Sequence, residues 1–386
     1  MFIFYGTEKM SNRKIKVGIL GLGRAGRFMQ TVELASCPEH FEIVAGADRA
    51  PERLQDLPPE FSRAKLYDSP EEMFRDDNIE LVSIATRNEF HVVQAIQALE
   101  AGKFVVLEKP VAISSAQADK LEKAAAGFPG KLFFRFNRRF EAGFSAVMEA
   151  IRSGIIGEVT QVKINRCVGF YRRSDWQTLT GCHGGLLNNW GPHMIDQARQ
   201  FLNSPVADLW CSLQHTIAAG DAEDQVRILL KGENGRVVDI DLATAAIPQN
   251  NLYEVRGTRG ALTLNREETE LTLRYLAPEV KFGPLKAESG LYPLSYDTSG
   301  DQLRFIDEVR PVTAAGVMFQ RGRKLADGEN VNAAKGYTHS NIIWYFIYDS
   351  IVNGTPYPIS VNDGLEVVRI TEAARKKSGF IPGEIY

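Results

Sequence analysis

Nowhere in these 386 residues does an apolar run approach the roughly 20 needed to cross a bilayer. The opening Met1-Phe2-Ile3-Phe4-Tyr5 is too short for the apolar core of a secretory signal and is followed by charge. Cysteine is scarce: Cys37, Cys167, Cys182 and Cys211 lie far apart without a CxxC pair, which argues against a zinc ribbon or a dithiol redox centre and fits free thiols in a reducing compartment. An excess of one charge is also missing. The formal net charge is -3 with acids and bases interspersed, so nothing draws the chain to nucleic acid or an anionic membrane, and a small neutral or weakly charged ligand fits better. The expectation is a cytoplasmic protein with residues 1–13 as a tail. Its length exceeds the roughly 250 to 300 residues at which one core splits, so two domains are expected.

What the chain does have is a strand-length apolar run feeding a glycine turn: Val17-Gly18-Ile19-Leu20-Gly21-Leu22-Gly23-Arg24-Ala25-Gly26. A GxGxxG turn that opens a helix is how a dinucleotide site begins. Gly21 permits the tight turn, Gly23 lets the backbone approach a pyrophosphate, and Gly26 lets helix and strand pack closely; the helix N-terminus supplies N–H groups and positive potential. Phe41 to Ala47 reads as a second strand ending in Asp48, about where the ribose-binding acid of a βαβ unit falls. Asp48 favours NAD, because its carboxylate bonds a 2′-hydroxyl and repels a 2′-phosphate, while the adjacent Arg49 keeps NADP open.

From Ile15 to about Phe136 short apolar runs alternate with amphipathic helical windows, the pattern of a parallel sheet covered by helices. Residues 14–136 are therefore expected to form a Rossmann domain. Ser69, Pro70 and Glu72 occupy the places of a capping box. Strands at Leu81–Ala85 and Phe104–Leu107 place Thr86, Asn88 and Lys109 at the carboxyl ends where such sheets bind ligands.

Beyond about residue 137 the rhythm changes to helices followed by alternating strands, including Glu158–Arg166, Val206–His215, Val226–Leu230 and Val237–Thr244. This predicts an α+β domain over 137–386 with a large, open, mainly antiparallel sheet. Glu254 to Leu262 reads as a strand, a tight turn and a strand. Ala277–Lys335 reads as an elaborated loop region with a helix near Gln302–Val309. Helices at Asn341–Val352 and about Asp363–Lys377 close the domain, with no internal repeat.

These motifs together resemble the family of glucose-fructose oxidoreductase, inositol dehydrogenase and MocA, from about Lys16 to Gly379. The marks are Gly21 to Gly26, Ala47-Asp48-Arg49, Ile84-Ala85-Thr86-Arg87-Asn88 with His91, Ala101-Gly102-Lys103 leading to Glu108-Lys109-Pro110, Asn137-Arg138-Arg139-Phe140, and Gly184-Gly185 leading to Gly191-Pro192-His193. The resemblance implies a nicotinamide cofactor held by Gly21, Gly23, Arg24, Ala25, Gly26, Asp48, Arg49, Thr86, Asn88, His91, Glu108 and Lys109. It also implies oxidation or reduction of a sugar or cyclitol, and a homo-oligomer, a dimer or tetramer. Two positions depart from the family pattern: Arg87 stands where Pro is usual, and Asn189 where an Asp is usual.

Lys109 by itself reads as a surface lysine or as an ammonium holding a substrate hydroxyl against the nicotinamide; the resemblance selects the second. As a base it must lose its proton near neutrality, which burial favours. His193 reads by itself as a structural imidazole or as a proton carrier, for which an ordinary pKa near ~6.5 is suited; the resemblance again selects function. Leu187, Met194, Ile195, Ala198, Phe201 and Leu202 recur at helical spacing as the core face, leaving His193 on a polar stripe with Asn189, Asp196 and Gln197. Asn189 can orient an imidazole but cannot neutralise it, so Lys109 is expected to carry more of the proton chemistry, or Asp196 or the substrate to compensate.

The segment Arg166–His183 reads as a substrate loop, with Tyr171, Arg172, Arg173, Trp176 and His183 joining Arg138, Asn189 and His193 around a sugar. His183, His193 and Asp196 lack convincing metal-ligand spacing, and no metal is expected. Two other classes stay open: a glycosidase-like enzyme with transient internal redox at NAD, and a non-catalytic cofactor-binding regulator.

Overall fold

The computed structural model describes residues 13–167, 170–246, 250–285, 287, 301–312 and 342–383. Most of the expected N-terminal tail and of the loop region after Ala277 lies outside them.

Six strands form the first sheet: β1 (Ile15–Leu20), β2 (Phe41–Ala47), β3 (Lys65–Tyr67), β4 (Leu81–Ile84), β5 (Phe104–Leu107) and β6 (Leu132–Phe134), in the order β3-β2-β1-β4-β5-β6. Every pair is parallel. Helices cover both faces of such a sheet, which is why Val105, Val106 and Leu107 form an unbroken apolar run with no exposure. The strand order reverses at β1 and β4, so a crevice opens outside their carboxyl ends. The connecting helices are α1 (Thr31–Ala35), continuing a π-helical turn over Gly26–Gln30, then α2 (Pro70–Arg75), α3 (His91–Glu100) and α4 (Ser115–Ala126). Ser69 caps α2 by accepting the Glu72 N–H, but its hydroxyl donates to Glu71, so only half of the expected capping box is formed. A reciprocal box does cap the last helix, between Ser360 and Asp363.

The second sheet follows α5 (Ala142–Arg152). Its strands are β7 (Val159–Cys167), β8 (Val206–Gln214), β9 (Gln225–Gly232), β10 (Val237–Ala243), β11 (Tyr253–Gly257), β12 (Gly260–Leu264), β13 (Glu270–Leu276) and β14 (Phe305–Pro311). They lie in the order β14-β13-β12-β11-β7-β10-β9-β8, antiparallel except for the pair β7 and β10. Between β7 and β8 the chain forms α6 (Leu186–Asn189) and α7 (Gly191–Leu202).

The helix expected at Gln302–Val309 is instead edge strand β14, paired with β13 from Phe305 to Pro311. Its side chains alternate between exposed and half-buried. A short mixed run of this kind takes its state from the neighbour it can pair with, and a proline is tolerated at an edge.

The last helices are α8 (Ile342–Asn353), whose Trp344 packs edgewise on Phe41 of β2, and α9 (Val361–Ser378), which touches both sheets at β6 and β8. Trp344 Nε1 donates to Glu33 at 2.9 Å, and Tyr357 donates to the Phe134 carbonyl at 3.0 Å. From α9, Arg375 pairs with Glu223 and Lys377 with Asp208. No described helix is long and apolar enough to cross a membrane.

Candidate active site at the carboxyl edge of the parallel sheet

The glycine turn is shaped by steric demands that differ along it. Gly21 sits at φ +93°, and a Cβ there would stand 2.6 Å from the Ala85 backbone. A Cβ on Gly26 would stand 2.1 Å from the Gly21 carbonyl oxygen. Among the described residues, the only atom within 4 Å of a Cβ added at Gly23 is a nitrogen of Arg53, at 3.8 Å, and none fills the cradle. That opening fits the diphosphate of a dinucleotide.

Asp48, at the end of β2, accepts the N–H of Leu22 at 2.8 Å and of Ala50 at 3.0 Å, and pairs with Arg53 at 3.3 Å. It thus pins the turn while keeping an acceptor site for a ribose hydroxyl, since a carboxylate offers about four. Arg49 lies over the Phe90 ring at 5.2 Å, and Arg24 is exposed at the rim. Arg53 escaped the sequence reading; it follows Asp48 by one 3-10 turn, Pro51–Leu54.

At the ends of β4 and β5 the expected cofactor residues divide. Thr86 donates to Gln94 at 2.6 Å, and Asn88 Nδ2 reaches across to the His183 carbonyl at 3.0 Å. His91 is buried, with Nδ1 2.7 Å from the Pro110 carbonyl and Nε2 3.2 Å from that of Thr86. Burial lowers its basicity, and its ring braces the two loops against each other rather than facing the crevice. Glu108 also turns inward: Oε1 accepts from Arg135 at 2.7 Å and Gln30 at 3.1 Å, and Oε2 from the Lys109 N–H at 3.2 Å. Both side chains thus support the loops that frame the site. Arg135 joins Glu108 to Glu33 in a network with Gln30, Ser83 and Trp344.

Lys109 emerges half-buried beside that network. Its ammonium donates to the Asn189 carbonyl at 2.8 Å and to Asn189 Oδ1 at 2.9 Å. Burial pulls its pKa down to about 8; Glu108 opposes the shift, and Arg138, Arg173 and Arg135 add to it. An amine that ionises there can take a proton from an alcohol near neutrality or hold a developing alkoxide.

Asn189 closes α6, and the chain breaks at Trp190 before α7 begins at Gly191, so the continuous helical register expected between Asn189 and His193 is interrupted. His193 occupies the first turn of α7, buried, with Phe136 and Trp190 edgewise at 6.4 and 6.5 Å. Asp196 is fully buried and held by two nitrogens of Arg139. Arg138 lies 4.2 Å over the Trp190 ring and pairs with Glu141. Behind Trp190, Arg166 pairs with Glu141 and Glu268; burial and Glu141 raise Glu268 to about 7.

The loop before α6 crosses the mouth. Arg173 bonds Asp175 and Gln177, and lines a small cavity that Asn189, Gln177 and Thr178 share. Trp176 lies under the Arg87 guanidinium at 5.6 Å. His183 takes the left-handed conformation at φ 53°, presenting its carbonyl to Asn88 and Asn188 while its side chain is exposed. Tyr171 is half exposed, 51 %, and tied to the loop by its N–H on Thr244. A Cβ on Gly184 would strike the Gln177 carbonyl, and one on Gly185 the Glu223 carboxylate, so this glycine pair lets the loop fold closely on itself and on the segment before β9. Glu223 also escaped the sequence reading. It accepts the Leu187 N–H at 3.1 Å and so anchors the helix that delivers Asn189.

A glycine turn with an open cradle, an acid at the end of β2 and a half-buried lysine at the end of β5 define a nucleotide-binding oxidoreductase. Residues 15–134 match the oxidoreductase family with an NAD-binding Rossmann fold, and residues 144–263 match the GFO/IDH/MocA C-terminal domain. The chain belongs to this glucose-fructose oxidoreductase, inositol dehydrogenase and MocA family, and NAD is its cofactor class. An uncharacterized oxidoreductase of Schizosaccharomyces pombe is 32% identical over 258 residues, 64% of this chain and 69% of its own. The scyllo-inositol 2-dehydrogenase (NADP(+)) of Bacillus subtilis is 25% identical over 372 residues, 94% of each chain. Among solved structures, GenD2 from gentamicin A biosynthesis, in complex with NAD, superposes with a TM-score of 0.69 at 21% identity, covering 96% of this chain and 97% of its own.

Proposed function

We propose that the protein is a dehydrogenase that transfers hydride between nicotinamide and a hydroxyl-bearing carbon of a sugar, sugar derivative or inositol. The observation that carries this reading is Lys109: a half-buried amine at the mouth of β5, with a pKa near 8 and only neutral acceptors on its ammonium. When bound, the nicotinamide supplies the hydride acceptor or donor. The chain's own residues then do the rest. Gly23 leaves room for the diphosphate, with Gly21 and Gly26 shaping the turn, and Asp48 offers an acceptor to the ribose. Lys109 holds the reacting hydroxyl and takes its proton during oxidation, with His193 at the start of α7 as its partner in proton transfer. Asn189 fixes the Lys109 ammonium, a different task from orienting the imidazole. Thr86 and Asn88 stand on the cofactor side, and Arg138, Tyr171, Arg173, Trp176 and His183 frame the substrate between the two halves.

Asp48 supports NAD as the preferred form; a tighter dissociation constant for NADP would reverse that choice and point to Arg49 and Arg53. Two buried thiols, Cys37 and Cys211, support a cytoplasmic setting. The exposed Trp210 and Val309 on the second sheet support self-association, which light scattering measures. The test of the activity is nicotinamide absorbance with NAD, then NADP, across aldoses, glycosides, uronates and inositols. Net NADH formation that Lys109→Ala abolishes is the expected result. Silence with cofactor still bound would favour internal redox or a regulator.

A further inference from the structure

We propose that the natural substrate carries a carboxylate, received by Arg173 on the loop that Arg87 clasps, while Lys109 takes a hydroxyl on the same molecule. This rests on the dehydrogenase reading above and narrows its substrate to acidic sugars or acidic cyclitols.

The argument is one of charge balance. The arginines buried around the site are matched by buried acids: Arg135 by Glu33 and Glu108, Arg139 by Asp196, Arg166 by Glu141 and Glu268. The cations of the mouth are not. Among the described residues, no carboxylate lies within 4 Å of the Lys109 ammonium or the Arg87 guanidinium; their partners are an amide and an indole ring. Arg173 has one acidic partner, Asp175, whose carboxylate is 52% exposed, and one neutral partner, Gln177.

Two carboxylates do line the cavity beside Arg173, and neither is available. Glu223 is held by both terminal nitrogens of Arg375, and Asp224 by the N–H groups of Thr216, Ile217 and Ala218. The mouth therefore lacks a carboxylate in contact with Lys109 or Arg87 and has only an exposed one on Arg173; at Lys109, Glu108 favours the charged form while Arg138 and Arg173 oppose it. A partly desolvated cation without a counter-ion is costly, and a ligand carboxylate that brings one gains a charge-assisted, two-pronged bond to a guanidinium.

The experiment uses the NAD-loaded protein and matched pairs: glucose against glucuronate, galactose against galacturonate, with glucose 6-phosphate as a competing anion. Calorimetric binding and NADH formation are both read, at low and high salt. At least one uronate is expected to exceed its neutral partner about 30-fold in affinity or kcat/KM, with the advantage shrinking in salt. Arg173→Gln is expected to bring that ratio to within about 3-fold, and Arg173→Lys to restore part of it; thermal melts confirm that both variants fold. Equal or better use of the neutral sugars overturns the inference and leaves the dehydrogenase standing. A uronate preference in binding without NADH upholds the anion site and sinks the dehydrogenase reading. A sugar phosphate outranking the uronates overturns the carboxylate assignment, and no binding of any member overturns it as well.

Discussion

Two neighbouring regions treat their steric and electrostatic needs in opposite ways. Behind β5 the protein satisfies itself: Arg135, 2% exposed, bridges Glu33 and Glu108, and Gly26 is glycine because the Gly21 carbonyl lies against it. At the mouth the same residue types are left open. Gly23 faces empty space, Arg87 rests on an indole, and Lys109 is bonded to an amide. The contrast separates residues that hold the fold from residues kept for a ligand, even where both belong to one sequence motif.

Breaking the interior is expected to have the largest effect. Arg135→Met leaves two carboxylates buried without their cation and is expected to cost about 3–5 kcal/mol of stability, read from the urea midpoint. The glycines sharpen the comparison. Gly26→Ala is expected to destabilise by about 1–3 kcal/mol through overpacking. Gly23→Ala should leave the midpoint within about 0.5 kcal/mol yet weaken NAD binding by about tenfold or more, so a stability loss matching that of Gly26→Ala would erase the distinction.

Next in size is the pH dependence of oxidation. Protonated Lys109 cannot accept a proton, so kcat/KM should climb about tenfold per pH unit below a bend near 8 and level off above it. Asn189→Asp places an anion against the ammonium, favours its charged form and moves the bend to higher pH; an unmoved bend would assign it to another group. The smallest effect is expected at the rim. Arg87→Gln removes an exposed cation and one ring contact, and should alter stability by no more than about 0.5–1 kcal/mol.

The first half of the fold was legible because each β-α step carries its own local signals: apolar strands, a glycine turn, an acid at the end of β2. Strand β14 was not, because Phe305–Pro311 takes its form from β13 alongside it. At the candidate site, Lys109 and Asn189 were each singled out from motifs, but their meeting spans 80 positions and belongs to the tertiary fold. The same holds for Glu108 and His91, whose motif positions suggested the cofactor while their side chains support the loops around it. Glu223 gave no periodic or motif signal, since the Leu187 N–H it accepts is brought near only by folding, and Arg53 reaches Asp48 through a local 3-10 turn that carries no motif.

The bond from Trp344 to Glu33 joins residues 311 positions apart. During vectorial synthesis all six strands of the nucleotide-binding sheet leave the ribosome long before α8 does. Until then Glu33 lacks its indole donor and Phe41 the ring that packs edgewise on it. The half of the protein made first is thus completed last, and cofactor binding on nascent chains should mature only once the final helices have docked.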